Sequence, residues 1–348
     1  MSAHASDERD HLPSHAASVS TGYAWKFDGL DDVGFIPDNP LLSGGPGKSL
    51  TLEAWVKLET TVGTHPIVTK LFDRATKDWG MEIQYGTVIA DIETDNDNWF
   101  FVTDTLISAG VWTHVAFTFD NAADMVRIYV NGREAGSGKV QIKDMPDTDA
   151  AILMGYHPYD PSRMKGVLDE VRIWNYARHG NEIRQSMHQS LTGSETGLIG
   201  YWTFDEGQGQ YAADVTGNGN RVQRGFTNAP GSDDPQWVIS DAPVSTTPFV
   251  NLVSPNGGEH WFVDSRQQIV WAASSTITHL TLQFSSNAGL TWNTIANRVP
   301  NTGAYIWLVP NTVSNLCVIR IFDADSSAIA DVSDSVFSIL SPSLTVVF

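Results

Sequence analysis

The residues in this sequence best suited to chemistry are clustered carboxylates. Asp28, Asp31 and Asp32 sit in the string FDGLDD, where Gly29 permits a tight turn. Asp169 and Glu170 open LDEVRIW, and period-2 alternation puts Asp169 in phase with Val167, Val171 and Ile173, on an apolar face. A carboxylate there must be paired, hydrogen-bonded or bound to a metal, because an isolated buried charge is very costly. Ca²⁺ takes about six to eight oxygens from carboxylates and carbonyls. Asp28, Asp31, Asp32, Asp169 and Glu170 are therefore candidate ligands of a structural Ca²⁺. The alternative is that Asp28 and Asp169 only accept backbone N–H bonds and hold their loops. A second acidic loop, DIETDNDNW with Asp91, Asp95 and Asp97, loosely matches EF-hand spacing but lacks the terminal Glu, and reads as a solvated hairpin tip.

Aromatic side chains in polar loops come next, because a sugar stacks its C–H face on a ring and a Trp or Tyr adds a polar tip. Trp79 and Trp99 flank the acidic hairpin, and Tyr156, His157 and Tyr159 share the Pro-punctuated loop GYHPYDPSR with Arg163. These six are the candidate ligand-binding residues. Trp25, Trp55, Trp112 and Trp174 lie within strand-like strings and read as core or strand-face residues. No His-Glu-X-X-His metalloprotease motif occurs. GGPGKS around Lys48 has Leu42 where a phosphate loop needs its first Gly, and a strand-like string follows, so it reads as a turn.

Composition narrows the partners. The net charge of −19, from 21 basic and 40 acidic residues, leaves no basic footprint for nucleic acid. It also disfavours anionic lipid surfaces. The one cysteine, Cys317, excludes an intrachain disulfide and cysteine-ligated zinc or iron–sulfur centres. No apolar run reaches membrane-spanning length, so membrane insertion is not expected. Residues 1–21 are polar and small, and are expected to form a flexible tail. They hold no apolar stretch of the kind a secretion leader needs, so export is expected after leader removal or by a route without one, as in a virion protein.

The elements that would position these residues are strands. TLEAWVKL, THVAFTFD and MVRIYVNG alternate apolar and polar positions, the last ending at the turn pair Asn131-Gly132. One helix is expected in ARHGNEIRQSMHQSL, where Ile183, Met187 and Leu191 form a stripe, with Asn181 as N-cap and Gly193 as stop. Residues 206–240, rich in Gly, Asn and Asp, read as a long loop region, and DAPVSTTP (241–248) as a linker. About seven further strands follow in 249–340, among them QQIVWAA, HLTLQFSS, AYIWLVP, VIRIFDA and SVFSIL, and 341–348 is a β-prone tail.

Six strings in order, WKFDGLDDVGF, SLTLEAWVKL, VWTHVAFTFD, VRIYVNGRE, GVLDEVRIWNYAR and GLIGYWTFDEGQG, resemble the LamG-like jelly-roll domains of the concanavalin A-like lectin/glucanase superfamily, over about residues 22–238. The resemblance implies an all-β fold: a concanavalin A-like jelly-roll sandwich over 22–240 with loops that bind glycans or proteins, often with structural Ca²⁺. It also implies that the first and last strands of one sheet are neighbours, which would bring the two carboxylate clusters together. VNLVSPNGGEHW, LQFSSNAGLTW and IRIFDADSSAIADVSDSVFSI resemble Ig/fibronectin-type spacer repeats of bacterial surface proteins, implying an Ig-like β-sandwich over 249–340. Retaining glucanases on the first fold carry Glu-X-Asp-X-X-Glu, and the nearest string, Glu93 to Asn98, lacks the second Glu. The expectation is therefore a binding and adhesion protein, not an enzyme, at an extracellular, cell or virion surface, with a glycan or surface protein as partner. The alternative is a structural subunit of a virion or an extracellular filament or layer, assembling as a homo-oligomer through its N- and C-terminal segments.

Overall fold

A computed structural model describes residues 22–71, 77–94, 97–140, 144–145, 147–159, 161–245, 248–274 and 276–341. The expected N-terminal tail and residues 342–348 lie outside these.

Alternating side chains decide the architecture. In the strand Leu50–Leu58, Leu52, Ala54 and Val56 are fully buried on one face, and Val115 and Phe117 of Thr113–Asp120 continue that face in register opposite Ala54 and Leu52. These strands belong to an eight-stranded sheet. Its order is Arg133–Lys139, Met125–Val130, Thr113–Asp120, Leu50–Leu58, Lys165–Trp174, Tyr23–Asp28 and Gln236–Ile239, with Leu198–Trp202 also paired to Lys165–Trp174. A second eight-stranded sheet runs Tyr211–Ala212, Val222–Arg224, Gly34–Ile36, Ile152–Met154, Thr64–Leu71, Lys77–Gln84, Thr87–Thr94 and Asp97–Leu106. Trp25, Phe27, Leu52 and Phe117 of the first sheet meet Ile36, Val68, Trp79 and Met81 of the second in one core. The sandwich expected from strand alternation is thus formed, and the Gly-rich stretch 206–240 supplies edge strands to both sheets.

The other face of the first sheet is also covered. Ile183 of the helix Gly180–Ser186 packs on Ala116 and Tyr129, and Met187, Ala242 and Val244 pack on Trp55. The helix is shorter than its apolar stripe and starts differently. His179 is the N-cap in place of Asn181, because the Glu182 carboxylate reaches back to accept the His179 N–H at 2.7 Å. Past Met187 the backbone turns to another partner: the N–H of Ser190 donates to the Ser245 carbonyl, and that of Ser245 to the His188 carbonyl. The Pro/Ser/Thr stretch from residue 241 is therefore docked on the sandwich through residue 245.

Residues 250–340 build a three-stranded sheet (Val250–Ser254, Arg266–Ala273, Ala304–Leu308) and a six-stranded one around a separate core of Trp271, Leu282, Ile319 and Phe337. The five strings expected to be strands there all are. At the junction the His188 ring lies 5.2 Å from Trp55 and 5.9 Å from Phe249. Its Nδ1 sits 2.7 Å from the Pro243 carbonyl, which can only accept, so Nδ1 carries the proton.

Burial pushes the His188 pKa from 6.5 down to about 4 against the pull of that carbonyl. The folded form holds this ring neutral, so its stabilisation is complete above pH 6.5 and is lost as pH falls toward 4. Urea unfolding at pH 7 and pH 4.5 should show a drop to which His188 contributes at most about 3 kcal/mol, and H188Q should recover a substantial part of it.

Candidate functional site

The first strand ends at Asp28, and Gly29, at φ +84°, turns the chain back so that Asp28, Asp31 and Asp32 can each bring one oxygen within 4.8 Å of the others. Local hydrogen bonds fix the turn. Asp28 Oδ1 accepts the Leu30 N–H and Asp32 Oδ2 the Asp28 N–H, both at 2.7 Å. Asp31 Oδ2 accepts the Ser232 hydroxyl at 2.8 Å. Asp28 and Asp32 line a cavity of about 560 Å³ with Gln210, Arg224, Ser232 and Asp234. Asp234 is buried, and its Oδ1 has no hydrogen-bond partner among the described residues. Burial, helped by repulsion from Asp28, Asp31 and Asp234, raises the Asp32 pKa to about 6.

Asp169 and Glu170 do not join this group. The strands Tyr23–Asp28 and Lys165–Trp174, which carry the two clusters, are neighbours, but Asp28 pairs with Lys165, which leaves Asp169 four residues along toward the other end. The expected orientation of Asp169 is also corrected. Glu170 adopts φ +52° and the register slips between Asp169 and Arg172, a bulge that breaks the alternation. Leu168 and Val171 both face the core, so Asp169 and Arg172 lie on the opposite face. There Glu170 accepts from Arg172 Nη2 and the Tyr201 hydroxyl, each at 2.6 Å, and Asp169 accepts from the Ser240 hydroxyl. Burial raises the pKa of both acids, most for Asp169. Arg172 also donates to the Ser186 and Gln189 carbonyls, tying the bulge to the segment after the helix.

The aromatic candidates divide. Trp79 is 0% exposed in the core between the sheets and offers no ring face to a ligand. Trp99 lies on Asp97–Leu106, and its side chain falls outside the described residues, as does Asp95. Tyr156, His157, Tyr159 and Arg163 are brought together. The Arg163 guanidinium stacks 3.5 Å from the Tyr156 ring centre and donates to the His157 carbonyl at 2.9 Å, and the His157 and Tyr159 rings meet edge-on at 6.4 Å.

One residue completes this surface that the sequence reading missed. Phe226, 49% exposed, packs edge-on against Tyr156 at 5.4 Å and against Phe35 at 6.1 Å. Phe35 stands in a row of directly opposed residues, Tyr211, Gln223, Phe35, Leu153 and Thr69, on the outer face of the second sheet. The available signal was an aromatic residue, in RGFTNAP, within a stretch otherwise rich in Gly, Asn and Asp. The loop carrying Phe226 is tied to the acidic turn. The Phe226 N–H donates to Asp233 Oδ2, the Gly225 N–H to the Val33 carbonyl, and the Val33 N–H to the Asp233 carbonyl, at 2.8, 2.8 and 3.0 Å. Carboxylate turn and aromatic ridge are therefore two sides of one loop.

The comparisons find relatives of the two-sheet sandwich. Residues 28–184 match the family model of the concanavalin A-like lectin/glucanases superfamily. A Bacteroides ovatus protein described as carbohydrate-binding is similar in fold, with a TM-score of 0.51 at 18% identity. The match covers 65% of this chain, which in turn spans only 62% of that protein. A heptameric SAP-like pentraxin from Limulus polyphemus matches at TM-score 0.40 and 14% identity, covering 47% of this chain and 81% of the pentraxin. The CBM40 of a Ruminococcus gnavus IT-sialidase, solved with α2,3-sialyllactose, matches at 0.37 and 11%, covering 44% and 94%. No curated protein matches the sequence. The family match over residues 28–184 supports a concanavalin A-like domain there, and among the described residues no helix is long and apolar enough to cross a membrane.

Removing one partner of a buried ion pair strands the other charge. R172A should therefore cost about 3–5 kcal/mol of unfolding free energy in urea melts, and the double variant R172A/E170Q should cost less than the single one.

Proposed function

We propose that this chain is a glycan-binding protein of an extracellular, cell or virion surface, in which a cation-held loop presents an aromatic ridge to sugar, and that it binds without cleaving. The observation that carries this reading is the exposed Phe226 edge-packed on Tyr156 and Phe35, with Arg163 stacked behind Tyr156. An exposed aromatic ring bordered by polar groups suits the alternating C–H and hydroxyl faces of a sugar. The fold similarity to a protein described as carbohydrate-binding agrees with it. Ca²⁺ would be held by Asp28, Asp31, Asp32 and Asp234, and its role would be to fix the loop that bears Phe226. Asp169 and Glu170, engaged with Ser240, Arg172 and Tyr201, are structural in this reading. Residues 249–340 would act as an Ig/fibronectin-type spacer.

A homo-assembling subunit is a second reading. It draws on Ile306 and Leu308, 65% and 60% exposed on the outermost strand of the three-stranded sheet, an edge that no other strand among the described residues pairs with. Sedimentation of the full chain from low to high micromolar concentration decides it: a concentration-independent monomer removes assembly, and a reversible dimer or larger species retains it.

Two outcomes test the main reading. Ca²⁺ at about a hundred times its dissociation constant should raise stability by about 3 kcal/mol, seen as a higher melting midpoint, and D32N/D234N should abolish the rise. On a glycan array the intact chain should bind at least one oligosaccharide class, and F226A should weaken that binding about tenfold or more. An F226A variant that binds as the parent does would contradict the ridge.

A further inference from the structure

We propose that the cavity beside Tyr211 is a second carbohydrate subsite, one that selects sugars bearing a carboxylate. This rests on the glycan reading above and names the ligand class it would favour. The cavity, about 390 Å³, lies on the same sheet as the ridge and is lined by Asp38, Asn39, Tyr211, Asn220, Arg221, Gln223 and Asn228. Tyr211 is directly opposite Gln223, and Gln223 is opposite Phe35. Two strand spacings, roughly 10 Å, therefore separate Tyr211 from the ridge, a span that an oligosaccharide bridges.

The lining has the chemistry that recognises sugars. Tyr211 supplies a ring, and its hydroxyl donates to the side-chain oxygen of Asn228. Asn39, Asn220, Gln223 and Asn228 give the cavity a polar wall held by bonds within the protein: Asn39 Nδ2 donates to Asn220 Oδ1, Asn220 Nδ2 to Asp214 Oδ2 and Gln223 Nε2 to the Gly225 carbonyl. Charge then decides which sugar. The one carboxylate in the lining, Asp38, is matched by buried Lys70, whose Nζ lies 2.9 Å from Asp38 Oδ1. Arg221 stacks on Tyr211 with its guanidinium carbon 3.9 Å from the ring centre, and it forms no ion pair with any described residue. Stacking fixes the plane of the guanidinium, whose fork matches a carboxylate with two parallel hydrogen bonds. In a chain of net charge −19, an exposed arginine set over the Tyr211 ring at the lining of a polar cavity, with no acidic partner among the described residues, is a place for an anion brought by the ligand.

The test compares digalacturonate with neutral galactobiose on the full chain by calorimetry in low salt. The expected result is a preference for the acidic disaccharide of about tenfold or more, lost in R221Q and only partly retained in R221K, which keeps the charge without the fork. Raising the salt should weaken the acidic disaccharide and leave the neutral one in place. F226A reports on the ridge separately, because it weakens both disaccharides by the same factor if the ridge binds them. Equal affinity for the two sugars, or an acid preference that survives R221Q, overturns the subsite while leaving the ridge to stand or fall on F226A alone.

Discussion

The pairing of the Val33 and Asp233 backbones, with Ser232 on Asp31, is the constraint on which the site depends. It joins the turn after the first strand to the loop before the last strand of the same sheet. It works with the bonds of Gln210 to Asp234 and of Tyr211 to Asn228 to set where the 225–234 loop lies, and so where Phe226 meets Tyr156. The joint is electrostatically costly. Three carboxylates gather at the turn, and burial, with repulsion from Asp28, Asp31 and the nearby Asp234, already lifts Asp32 toward neutral pH. In the proposed reading a cation would relieve that cost and tighten the loop at once, which would couple the metal to the ligand surface.

The first sheet handles its buried charge by another route. Glu53 accepts from Arg178 and lies 3.4 Å from His114, and burial holds His114 below its ordinary pKa. Arg172 and Glu170 continue the network to Tyr201 and the post-helix segment. These charges face outward from the sandwich core but lie beneath the helix and the docked stretch from residue 241. The network thus fastens a cover onto the sheet, and the cover in turn carries His188 to the edge of the second set of strands. A paired charge under a lid is an anchor, whereas Asp234 Oδ1, buried without a hydrogen-bond partner among the described residues, is left unsatisfied.

Much of the fold was legible because alternation is a strong signal wherever one face of a strand meets a core. Leu52, Ala54 and Val56 announced their strand, and Ile183 and Met187 their helix. The orientation of Asp169 was not legible, since a single left-handed residue, Glu170, shifts the phase of all that follows. Trp79 misled for a related reason: it sits near an acidic hairpin in sequence, yet its strand turns it into the core. Phe226 escaped because its partners Phe35 and Tyr156 are about 190 and 70 positions away, and only the sheet order brings them together. Arg221 escaped likewise, since a stacked arginine without an ion pair has no mark in the sequence.

The central claim is that sugar lands on the ridge because the acidic turn holds the loop in place. A heteronuclear NMR titration of the calcium-loaded full chain with a glycan hit tests it most directly. Shifts centred on Phe35, Tyr156 and the backbone of 225–234, collapsing when EDTA is added, are what this account predicts. Shifts confined to another face, or a ridge response indifferent to the chelator, would contradict it.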